Sequence, residues 1–152
     1  MEIKSLSDED LFKTYVLILK DMKERKLIRT YNSPVSGHAE NIAAKELELK
    51  LERPSHKGFD GKDRQGIRYQ IKGRRITPTN KSRKLGVIRN YKKHEFDFLV
   101  AVIFDEFFKV SEMWKFPWDV VGKYLKPDKH QHGNILHCKG AILKDPKVIR
   151  LK

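Results

Sequence analysis

Residues 96–104 read Phe-Asp-Phe-Leu-Val-Ala-Val-Ile-Phe, the most apolar run of the chain, and they constrain its fold more than any other segment. A run with so little polar alternation has no face to give to water. It predicts a central strand covered on both sides, which requires flanking strands and packing layers above and below. The 152 residues are enough for one domain with a real core. Eight Phe, five Tyr and two Trp supply large side chains for it, and 39% hydrophobic against 35% charged residues is not a disordered composition.

The neighbouring segments supply candidates for those layers. Ser7, with Asp10 three residues on, reads as a helix start. Leu11, Tyr15, Ile18, Leu19 and Met22 then recur at helical spacing, predicting an amphipathic helix that fades near Lys26. Residues 27–36 contain Asn32, Ser33 and Pro34 and read as a loop. A second helix is expected from Gly37, with Ala39, Ile42, Ala43, Leu47 and Leu51 as its apolar stripe and Arg53-Pro54 as its end. The period then changes. Asp60-Gly61-Lys62-Asp63 resembles a turn, and Ile67, Tyr69 and Ile71 alternate with Arg68, Gln70 and Lys72, so a short hairpin is expected here. Residues 77–93 predict a long, mobile basic loop. Beyond residue 104 the pattern suggests a strand over 107–115, a short helix over 117–125, a loop over 127–134, and two short strands over 135–143 and 147–151.

Charge is unevenly placed. The net charge is +13, yet residues 57–93 alone hold thirteen Lys or Arg against only Asp60 and Asp63. The remainder is close to balance. A clustered excess of this kind predicts a face for a polyanion, nucleic acid above all. Phosphate contacts are assigned to Arg74, Arg75, Lys81, Arg83, Lys84, Arg89, Lys92 and Lys93. The single cysteine, Cys138, allows no internal disulfide. The acidic start of the chain lacks the apolar region of a signal peptide, and no run approaches eighteen apolar residues. A cytoplasmic protein without a membrane span is the expectation.

Within the basic segment lies a set of groups suited to phosphodiester cleavage. That reaction calls for a divalent ion near the scissile phosphate, oxygen ligands to hold it, and a positioned water. Asp60 stands where the first strand of the hairpin meets its turn. Gln70 and Lys72, two apart on the second strand, leave the same face, while Ile71 points to the core.

At these residues the chain resembles the PD-(D/E)XK, or restriction-endonuclease-like, nucleases. The resemblance rests on Gly-Phe-Asp-Gly at residues 58–61, Tyr-Gln-Ile-Lys at 69–72, and Glu40 within Ser-Gly-His-Ala-Glu-Asn-Ile-Ala-Ala on the preceding helix. It covers about residues 40–104, by ordered motifs rather than by close sequence similarity. Two departures stand out. Pro54 lies in the loop before Asp60 instead of next to it, and Gln70 replaces the usual acid, as it does in Mrr-like members of the superfamily. An amide oxygen can ligate a metal but adds no negative charge.

The resemblance implies a role for each residue. Asp60 becomes the main ligand of a Mg²⁺ ion (Mn²⁺ can substitute), with Gln70 and the backbone carbonyl of Ile71 completing the protein's share. Lys72 holds or activates the attacking water, and Glu40 binds a second ion or orients water. The products carry a 5′-phosphate and a 3′-hydroxyl. Taken with the pattern, this predicts a single α/β domain over residues 1–152, with a mixed sheet flanked by helices. Its parts are an N-terminal helix and loop (1–36), a catalytic core (37–104) containing the basic loop (76–93), and a C-terminal part (105–152). The expected function is a metal-dependent DNA endonuclease, restriction-type, acting as a homodimer to cut both strands. A junction-resolving enzyme fits as well. So does a non-catalytic nucleic-acid-binding module on a degenerate nuclease fold, which Gln70 keeps open. Other groupings carry less. His130, His132, His137 and Cys138 fit no familiar zinc spacing, and Trp114, Phe116 and Trp118 read as core or interface before they read as a base-stacking platform.

Overall fold

A computed structural model describes residues 2–152. Among these, the helices are α1 (Asp8–Glu24), α2 (Pro34–Leu47) and α3 (Trp118–Tyr124). The strands are β1 (Lys50–Leu51), β2 (Gly61–Lys62), β3 (Arg68–Arg75), β4 (Phe98–Phe104), β5 (Val110–Pro117), β6 (Lys126–Pro127), β7 (Asn134–Ile135) and β8 (Ile149–Arg150). The apolar run is the hub, as its sequence demands. β4 lies inside a six-stranded sheet of order β1-β2-β3-β4-β5-β8, parallel to β3 and antiparallel to β5. The sheet is therefore mixed, and helices pack on it.

Alternation along β4 feeds two separate cores. Val100, Val102 and Phe104 face α2 and join Tyr69, Ile71, Ala39, Ala43 and Met113. Leu99, Ala101 and Ile103 face the other way, where α3 supplies Val120 and Val121. Ala39 and Ala43, four residues apart and fully buried, let α2 lie close to the sheet. Opposite them β3 carries Gly73, where an added Cβ would stand 2.8 Å from the Ala39 Cβ and 3.0 Å from the Val35 carbonyl oxygen. That close approach fixes α2, and Glu40 with it, against the strand that bears Gln70 and Lys72.

Several boundaries differ from the expectations. The second helix starts at Pro34 and ends at Leu47, where Glu48 adopts a left-handed conformation (φ 53°). Leu49 and Leu51 then leave the helix axis and pack on the same core, Leu51 from β1 and Leu49 from the residue before it. A spacing of four between Leu47 and Leu51 reads as helix, but the chain turns between them. The hairpin turn lies at residues 63–67, not 60–63. The Asp63 carboxylate accepts from the backbone N–H groups of Gln65 and Ile67, both at 3.0 Å, and closes the turn. Asp-Gly at 60–61 therefore opens a strand: Gly61 is buried and pairs with Leu51 and Tyr69.

The basic loop is not free of the core. Leu85 and Ile88 are buried beneath it, and their N–H groups donate to the carbonyls of Leu136 and Asn134 at 2.9 and 2.8 Å. The expected strand over 135–143 gives way to these loop pairings, to β7, and to a 3-10 turn at Gly140–Lys144. The final strand is reduced to β8, paired with β5. Helix α1 is capped as expected, Ser7 Oγ accepting from the Asp10 N–H at 3.2 Å. Its apolar stripe, however, does not face the core: only Leu19 is buried.

Candidate active site

β3 presents the predicted pair on one face and core residues on the other. Tyr69 and Ile71 are buried against α2, so Gln70 and Lys72 emerge opposite, beneath the basic loop. Lys72 Nζ donates to the carbonyl of Val87 at 3.0 Å. Burial pulls its pKa below the usual lysine range. Asp60 and Glu40 oppose that shift, and Arg89 reinforces it. Gln70 Oε1 is buried among the protein atoms with no hydrogen-bond partner. An acceptor left in that state costs about 1–3 kcal/mol unless a ligand satisfies it.

Asp60 precedes β2, anchored by its N–H to the Tyr69 carbonyl at 2.8 Å. Its Oδ2 accepts from the Ile71 N–H at 2.6 Å, so the carboxylate reaches the β3 edge beyond the end of β2. The N–H and C=O of one strand residue point to the same edge, and the Ile71 carbonyl therefore faces the side occupied by Asp60. Burial raises the Asp60 pKa from 3.8. The Ile71 N–H lowers it, Glu40 raises it further, and Lys72 and Arg29 pull it down. Asp60 thus senses Glu40 and Lys72 together, while Glu40 itself lines a separate hollow with Arg29, Ser36 and Pro54.

Glu40 does not stand alone. Its carboxylate is ion-paired with Arg29 Nη1, whose other terminal nitrogen donates to the Glu52 carbonyl. Arg29 went unnoticed in the sequence. It sits in a stretch that reads only as a loop, and no local spacing links it to a helix eleven residues on. Among the described residues no three His, Cys, Asp or Glu side chains are placed to hold a metal ion. An ion here depends on the Asp60 and Glu40 carboxylates supplemented by the Gln70 and Ile71 oxygens.

Gln70 and Lys72 open into a cleft of about 490 Å³ whose other walls include Lys57, Arg89, Asn90 and Lys93. A hollow of about 550 Å³ near Ile76 and Phe107 is larger, but two of its three acids are committed. Glu112 binds Arg83, and Asp105 accepts from the Phe107 and Lys109 N–H groups. The cleft over β3 is the better seat for chemistry.

The predicted phosphate-contacting residues divide into three groups. Arg89 and Lys93 line the cleft, Lys92 is exposed beside them, and Lys81 is exposed near the larger hollow. Arg74 is tied to Ser82 and Asn80, and Arg75 to the Glu106 carbonyl while lying over the Phe108 ring. Arg83 makes a two-pronged ion pair with Glu112 at 2.7 and 2.9 Å and also bonds the Cys138 carbonyl, and Lys84 pairs with Asp128 at 3.0 Å. These last two act inside the fold. Lys57, outside the predicted set, lines the cleft instead. Trp114 and Phe116 belong to the core, and Trp118 stacks between Tyr91 and His94. The Cys138 thiol is buried and its pKa pushed up to about 11. Compared with protein-family models and with curated proteins, the chain matches none.

Proposed function

We propose that this chain is a metal-dependent DNA endonuclease of the PD-(D/E)XK kind, with a restriction-endonuclease-like core and restriction-type cleavage. The observation that carries the reading is the orphaned Gln70 oxygen, buried on the same face of β3 as Lys72, the lysine whose charge acts on Asp60. A buried acceptor without a donor suits a cation better than solvent.

The residues present fit a hard divalent ion. Asp60 supplies charge, Gln70 and the Ile71 carbonyl supply neutral oxygens, and Glu40 stands ready if Arg29 yields. A bound Mg²⁺ contributes Lewis acidity at the scissile phosphate. The protein's own groups do the rest. Lys72, eased towards its neutral form by burial, accepts a proton from the attacking water or holds that water in line. The oxygen of that water bonds to phosphorus, the bond to the 3′ oxygen breaks, and that oxygen takes up a proton from solvent, so the products carry a 5′-phosphate and a 3′-hydroxyl. Lys57, Arg89 and Lys93 hold flanking phosphates in the cleft and stabilise the charge that builds on the reacting one.

Two other readings use the same site. A junction-resolving enzyme needs the same chemistry with shape selectivity in place of base contacts. A binding module needs only the basic walls, and the missing charge at Gln70 favours it. The test is conversion of supercoiled plasmid to nicked and linear forms with Mg²⁺ or Mn²⁺. Wild type is expected to cut, whereas Asp60→Ala and Lys72→Ala bind DNA and lose at least about a hundredfold in rate. If wild type binds but cuts neither plasmid nor branched DNA, the binding-module reading replaces this one.

A further inference from the structure

Helix α1 leaves six large apolar side chains exposed along its middle. Leu11, Phe12, Tyr15, Val16, Leu17 and Ile18 all stand in solvent, Phe12 with 75% of its surface and Tyr15 with 55%. Only Leu19 is buried, with Met22 half-buried, so the helix is pinned to the domain near its C-terminal end. Contiguous apolar surface of this kind marks an interface. Leu11, Tyr15, Ile18 and Met22 follow one another at spacings of four, three and four, the seam of paired helices, and Phe12 and Val16 widen it.

We propose that this surface docks α1 of a second copy of the chain, antiparallel, about a twofold axis near Tyr15 and Val16. Charge selects the occupant and the direction. The first turn holds Asp8, Glu9 and Asp10, whereas residues 20–26 hold Lys20, Lys23, Arg25 and Lys26 against Asp21 and Glu24, a net positive end in which Arg25 is paired with Asp21. Antiparallel pairing sets the acidic end of each helix beside the basic end of the other, twice over, as a twofold interface requires. Parallel pairing stacks acid on acid. An anionic membrane surface is a poorer occupant, because a membrane-lying helix carries its cations along the polar face and has no acidic turn at one end. The helix is about 25 Å long, enough for a continuous seam. The inference does not depend on the nuclease reading, and its test involves no DNA.

Sedimentation of the full chain at micromolar concentration is expected to give twice the monomer mass. Phe12→Glu with Tyr15→Glu, both at exposed positions, raises the dimer dissociation constant about thirtyfold or more while leaving the circular-dichroism spectrum unchanged. Lys20→Glu with Lys23→Glu weakens the dimer, and adding Asp8→Lys and Glu9→Lys to that chain restores it. A monomer at every concentration overturns the proposal, as does a dimer indifferent to the Phe12 and Tyr15 changes. Failure of the double charge reversal to restore the dimer overturns the antiparallel arrangement.

Discussion

Gln70 is where the site departs from a fully acidic ligand set, and its buried oxygen without a donor is also the strongest sign of a ligand. Both facts bear on one substitution. Gln70→Glu adds a negative charge on the face of β3 that carries Lys72, the lysine whose charge acts on Asp60; burial and Glu40 already raise the Asp60 pKa. The Mg²⁺ concentration for half-maximal cutting is expected to fall about tenfold, since one more carboxylate ligand strengthens a hard-cation site. The same change lowers the melting temperature in chelator by a few degrees, because Arg29 and Lys72 already offset Glu40 and Asp60 and the third acid brings no cation of its own.

The pH dependence follows from two opposite shifts. The folded Asp60 pKa lies above 3.8, so folding favours the protonated acid: that contribution is full below pH 3.8 and is lost as pH rises through the folded value. Cutting needs the ionised form, and activity should therefore drop as pH falls into the same window. The folded Lys72 pKa lies below 10.5, so activity should climb with pH towards that depressed value if the neutral amine takes the proton. Arg29→Ala removes a cation that holds the Asp60 pKa down, and the acid limb of a pH–rate profile should move to higher pH. An acid limb unmoved by that change would remove Arg29 from the site.

At the scale of elements, β4 and the β3 alternation were legible because burial on two faces and burial on one face leave different patterns in the sequence. The turns were less so. Asp60-Gly61 and Asp63 each resemble a turn, and only the Asp63 carboxylate, bonded to Gln65 and Ile67, settles which one bends. Leu47 and Leu51 lie at helical spacing and share one core, so no local pattern betrays the change from α2 to β1. The α1 stripe had the right period and the wrong partner, for periodicity identifies an apolar face without saying what covers it. The fit of α2 against β3 depends on Gly73. Gly73→Ala forces a Cβ into the Ala39 and Val35 contacts and should cost about 1–3 kcal/mol, read as a lower urea midpoint at unchanged slope.

Across the whole molecule, the charge excess of residues 57–93 serves two purposes that composition alone cannot separate. Arg83 and Lys84 are used to hold the loop to Glu112 and Asp128, whereas Lys57, Arg89 and Lys93 surround the cleft. The pairing of Gln70 and Lys72 on one face of β3 was legible from their spacing, but the division of the arginines required distant partners, Glu112 for Arg83 and the Glu106 carbonyl for Arg75. Arg89→Ala should therefore reduce the slope of log binding constant against log salt by about one, and Arg83→Ala should leave that slope unchanged while lowering stability.

The most direct test of the central claim, that Asp60 and Gln70 form a metal site, is calorimetric titration of the protein with Mn²⁺ in the absence of DNA. Saturable binding that disappears in Asp60→Ala and weakens in Gln70→Ala is the predicted result. No binding, or binding equal in all three proteins, contradicts it and leaves β3 the floor of a basic cleft without metal chemistry.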